Sequence, residues 1–82
     1  MNSRLRKFRG RLFVHDGRWW GMIDQTPTEA VWADVGEVQA VRVSDAIVQY
    51  KRAWFYYHAD VFGHHDGLVL RMPSGQRPGE RR

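Results

Sequence analysis

Five residues with metal-ligating side chains fall within nine positions: His58, Asp60, His64, His65 and Asp66. Imidazole nitrogens and carboxylate oxygens are donors that Zn²⁺ or Fe²⁺ accepts. On a strand His58 and Asp60 would share a face, while His64 and His65 would fall in the following turn. A turn directs at most one of that pair back toward the strand. The spacing matches no metal signature, so an ordinary polar loop with solvated imidazoles is the favoured reading. His58, Asp60, His64 and His65 remain weak metal candidates, and no cofactor is expected.

Nucleophilic chemistry has less support. A nucleophile needs a base within hydrogen-bond reach and a third group to orient that base. The chain has no cysteine. Ser44 and Ser74 have no histidine nearby in sequence, and Ser3 sits among basic residues. His15-Asp16 and His65-Asp66 are chain neighbours, which on a strand point to opposite faces. The glycines are dispersed rather than gathered into a phosphate-cradling loop. No catalytic residue is assigned, and a non-enzymatic protein is expected.

The strongest charge feature is the N-terminus. Arg4, Arg6, Lys7, Arg9 and Arg11 give residues 1–11 a charge of +5 with no acid among them. Residues 74–82 carry +2 and residues 12–73 carry −3, so the net +4 belongs to the two ends. Arginine forks match phosphate oxygens. With Phe8 available to stack on a base, the arm is a candidate nucleic-acid contact: Arg4, Arg6, Lys7, Phe8, Arg9 and Arg11. Positive side chains also guard edge strands against aggregation, which is the structural alternative.

The aromatic residues pose a different question. Trp19 and Trp20 are adjacent, so on a strand they face opposite sides. A thin 82-residue domain has one well-buried face. Something must therefore cover the second face: a partner subunit, a ligand or a local helix. The favoured cover is a second copy, since a two-fold dimer is the commonest closed assembly. Trp19, Trp20, Trp54 and Tyr56 are the candidate interface or ligand aromatics.

The elements that must hold these residues read as mainly β, or α+β. Asp16-Gly17 and Asp66-Gly67 each lie between β-branched and aromatic stretches, the strongest short-range hairpin signal. Thr26-Pro27-Thr28-Glu29 resembles a helix start with a capping box, placing one short helix near 27–35. Residues 38–43 favour a strand by β-branched content. Residues 44–62 are ambiguous. Ser44 could cap a helix, but on a helical wheel Gln49 and Asp60 oppose Lys51 and His58, leaving no single apolar stripe. With many aromatic β-formers, the segment is read as one long strand or two. The expected architecture is a small antiparallel sheet or half-open barrel of four to six strands.

The organisation expected is a basic arm at 1–7, one compact domain at 8–73 and a flexible basic tail at 74–82. No run of about 18 apolar residues occurs, and Leu12-Phe13-Val14 is too short for a signal-peptide core. The expected location is cytoplasmic. The function expected is a self-associating binding module with a nucleic-acid or protein partner. The alternative is an oligomeric small-molecule-binding protein or enzyme with an aromatic-lined site between subunits.

Overall fold

A computed structural model describes residues 8, 10–59 and 69–79. Four strands form one antiparallel sheet in chain order: β1 (Leu12–His15), β2 (Arg18–Gln25), β3 (Glu29–Glu37) and β4 (Val69–Pro73). One helix, α1 (Val43–Ala59), lies between β3 and β4 in sequence and packs on β2 and β3. The expected class, mainly β or α+β with a small antiparallel sheet, is the observed one among the described residues.

The first hairpin follows its sequence signal. His15 pairs with Arg18, leaving Asp16 and Gly17 as a two-residue loop. Both take positive φ, 54° and 73°, as a type I′ turn requires. Glycine adopts this freely, and aspartate is among the few other residues that tolerate it.

The helix is not near 27–35. Thr26 Oγ1 does accept from the Glu29 N–H at 3.0 Å, the bond a helix cap would make. The chain then reverses instead of coiling, because the Thr26 N–H donates to the Glu29 carbonyl at 2.7 Å. Glu29 turns outward to Arg71, and β3 begins. Residues 38–43 are not a strand either. The Ala40 and Val41 N–H groups both donate to the Glu37 carbonyl, forming the turn that leads into α1.

The strand expected over 44–62 is helical through Ala59. Its buried positions are Ala46, Ile47, Tyr50 and Ala53, with Tyr57 partly buried. That spacing is one helical stripe. Two alanines make it faint in sequence, while Trp54 and Phe55 lie outside it and obscure it. Asp45 in the first turn and His58 in the last suit the helix dipole. Because residues 54–59 are helical, they cannot pair with β4 across Asp66-Gly67, which lies outside the described residues. β4 pairs with β3 instead.

Both faces of the sheet are covered. Under α1, Trp19, Ile23, Val31, Ala33 and Val35 pack with Phe8 and Leu12. On the other face Trp20, Ala30 and Trp32 are buried beside Phe13, Met22, Leu70 and Met72. Residues 74–79, read from the sequence as tail, run over this second face. Trp32 Nε1 donates to the Gln76 carbonyl at 3.2 Å, Arg77 sits 5.2 Å above the Phe13 ring, and Pro78 is buried.

Two carbonyls of β2 tie the helix to the sheet. The β2–β3 register shifts between Met22 and Asp24, so Ile23 is an extra residue in a bulge. The Tyr50 hydroxyl donates to the Met22 carbonyl at 2.6 Å, and His58 Nε2 donates to the Ile23 carbonyl at 2.5 Å. Side chains of α1 thus satisfy groups that the bulge removes from the ladder.

Candidate functional site: an aromatic, basic cleft beside the helix

The chain before β1 folds back at Phe8, whose carbonyl accepts from the Arg11 and Leu12 N–H groups at 2.9 Å each. Gly10, with φ of 80°, permits the bend. This turn brings Phe8 against α1, edge-on to Tyr50 with ring centroids 5.6 Å apart. One helical turn of α1 supplies the opposite wall, placing Tyr50, Lys51 and Trp54 on one side. The result is a cleft of about 200 Å³ lined by Phe8, Arg11, Tyr50, Lys51 and Trp54.

Its electrostatics follow from its lining. The Arg11 guanidinium lies 5.8 Å and the Lys51 ammonium 5.9 Å from the Phe8 ring centroid. Tyr50 is 4% exposed, and burial pushes its hydroxyl pKa up, with Arg11 partly opposing the shift. Trp54 is 46% exposed and stacks at 4.0 Å on the imidazole of His58. The cleft therefore sets Arg11 and Lys51 beside a half-open indole.

The chain matches no family model, no curated protein and no solved structure.

Among the arm residues singled out from sequence, Phe8 and Arg11 reach this cleft. Phe8 is only 9% exposed, so its ring anchors the arm in the core and presents little surface to a base. Arg4, Arg6, Lys7 and Arg9 lie outside the described residues. Trp19 and Trp20 are buried within the single chain, on opposite faces, their Nε1 groups donating to the Val41 and His15 carbonyls. The second face therefore needs no partner to cover Trp20. Tyr56 is half-buried and meets Phe55 edge-on at 5.7 Å. His58 spends its Nε2 on the Ile23 carbonyl, while Asp60, His64 and His65 lie outside the described residues. Among the described residues no group of three His, Cys, Asp or Glu could hold a metal.

Sequence reasoning missed Lys51 and Tyr50. They enter the site because Tyr50, Lys51 and Trp54 lie three and four apart, a spacing that has meaning only on a helix. No helix among the described residues is long and apolar enough to cross a membrane.

Proposed function

We propose that this domain is a non-enzymatic, cytoplasmic, self-associating module that binds single-stranded nucleic acid. One observation carries the reading: the root of the basic arm and the exposed turn of α1 line the same cleft, with Arg11 and Lys51 beside Trp54. Arginine and lysine neutralise backbone phosphates, and a half-exposed indole offers a stacking surface for a base. Each stacked base is worth about 1–3 kcal/mol, and any base can supply it, so the binding expected is tolerant of sequence. By sequence, residues 1–11 carry five basic residues and no acid, which adds to the charge available to a phosphate backbone.

The cleft's size favours this reading over the small-molecule alternative. Ligand pockets usually enclose about 300–1,000 Å³. A cleft of about 200 Å³ lies below that range and has room for one planar group. Fluorescence anisotropy with a labelled single-stranded oligonucleotide tests the proposal. Trp54→Ala should weaken binding about tenfold or more, by loss of one stacked base. Lys51→Ala should weaken binding and lower the dependence on salt. Indifference to both substitutions would refute the site.

A further inference from the structure

The outward side of α1 alternates aromatic and basic side chains. On a helix, residues three and four apart are surface neighbours, with Cβ atoms about 5–6 Å apart. From Trp54 in the cleft, Lys51 lies three positions back, Phe55 four positions on from Lys51, and Arg52 three back from Phe55. The order around the helix is therefore Trp54, Lys51, Phe55, Arg52, and all four are exposed. Phe55 is 58% exposed and stands opposite the stripe of Ala46, Tyr50 and Ala53 that meets the sheet. Tyr56 supports its ring edge-on at 5.7 Å.

An exposed phenylalanine by itself needs no explanation. Here it lies between two cations and beside the cleft that holds Arg11 and Trp54. No acidic residue occurs between Ala46 and Ala59. The order of aromatic ring, cation, ring, cation matches the order of base and phosphate along a nucleic-acid strand. A second copy of this face is a poor occupant, because a two-fold contact would set Lys51 and Arg52 against their like-charged counterparts. A duplex is poor as well, because its bases are stacked on one another. Adjacent helical side chains diverge by about 100°, so bases on Trp54 and Phe55 must be splayed apart, as unpaired bases can be.

We propose that the outward face of α1 binds two consecutive unpaired nucleotides, one base on Trp54 and the next on Phe55. Lys51 meets the phosphate between them, and Arg52 the phosphate beyond Phe55. This rests on the nucleic-acid reading of the cleft and deepens it, giving the strand a path across α1 and a second stacking position. Every base has a π-face, so Phe55 adds affinity without selecting a base.

Anisotropy of the full chain with a labelled oligothymidylate of about 12 nucleotides tests the path. Phe55→Ala and Phe55→Leu should each weaken binding about tenfold, while Phe55→Tyr, which keeps the ring face, should stay within about twofold of the parent. Arg52→Ala should lower the slope of log affinity against log salt by about one. The same oligothymidylate paired with its complement should compete at least about tenfold less well than the free strand. If Trp54→Ala weakens binding while Phe55→Ala and Phe55→Leu bind like the parent, the second position is overturned and the cleft stands. If all of these variants bind like the parent, the nucleic-acid reading falls with it. Full affinity in Phe55→Leu beside a loss in Phe55→Ala marks an apolar contact in place of stacking. That result overturns the proposal and assigns the face to an acidic protein partner. Equal competition by the duplex overturns it too.

Discussion

Gly21 is the position where adding one methyl group should do most harm. Its φ lies outside the left-handed region, so backbone strain plays no part. In a strand, replacing glycine by alanine would ordinarily stabilise by about 0.5–1 kcal/mol. Here a Cβ would overlap Tyr50 Cδ1 and lie 2.8 Å from its Cε1. The ring has little freedom to retreat. It is 4% exposed, edge-packed on Phe8, and tethered through its hydroxyl to the Met22 carbonyl. Forcing extra atoms into a packed core costs about 1–3 kcal/mol. Losing the Tyr50 hydrogen bond adds about 1 kcal/mol. Gly21→Ala should therefore destabilise by about 2–4 kcal/mol, against roughly 3–5 kcal/mol available to a domain of this size. Urea unfolding followed by tryptophan fluorescence measures it, with Tyr50→Leu and the double variant closing the cycle. Leucine loses the rigid ring and its hydroxyl tether and can turn aside, so Gly21→Ala should be milder in that background, giving a coupling above about 1 kcal/mol. A Gly21→Ala loss under about 0.5 kcal/mol, or strictly additive variants, would refute this account of how α1 sits on the sheet.

Other outcomes follow from the same contacts. Gly17→Val should cost about 1–3 kcal/mol by straining a type I′ position, and more than any single His→Ala change in parallel thermal melts. His58→Ala should cost about 1 kcal/mol by orphaning the Ile23 carbonyl. The buried Tyr50 hydroxyl keeps its proton in the folded state to higher pH than in the unfolded chain. Its stabilising contribution is therefore complete below about pH 10 and lost as the pH rises beyond it. Tyr50→Phe should show a shallower alkaline fall in melting temperature than the parent chain. Deleting residues 1–7 removes Arg4, Arg6 and Lys7 and should weaken nucleic-acid affinity and flatten its salt dependence, with the cleft's own contacts retained. Equal binding by the truncated chain would show that these three residues contribute nothing.

The sheet was partly legible from local chemistry. Asp16-Gly17 specified its turn, because a two-residue loop admits few conformations. The split of Trp19 and Trp20 between faces followed from strand geometry alone. The helix was not legible for a physical reason: its buried stripe relies on Ala46 and Ala53, whose small side chains add little apolar signal. The bulkier residues that dominate a propensity argument, Trp54 and Phe55, sit in solvent. Thr26 made the expected hydrogen bond, but no apolar helical stripe followed to carry the chain into a helix. The cleft inherited the helix error, since Lys51 meets Phe8 and Arg11 only if 43–59 coils. A cover over the second face was foreseen as a need and assigned to a second copy; within the chain, Leu70 and Met72 of β4 pack on that face and residues 76–77 lie on Trp32 and Phe13.

The chain-order arrangement of the strands also sets a sequence of events during synthesis. β1, β2 and β3 pair with their immediate neighbours, so residues 12–37 can zip into a meander while later residues are still being added. The helix can then settle on one face, led by Ile47 and Tyr50. The opposite face has no such early cover. The Trp20 and Trp32 cluster lacks Leu70 and Met72, and Trp32 lacks its bond to Gln76, until β4 and the residues after it have been made. The apolar surface most prone to sticking is thus the last one this domain hides.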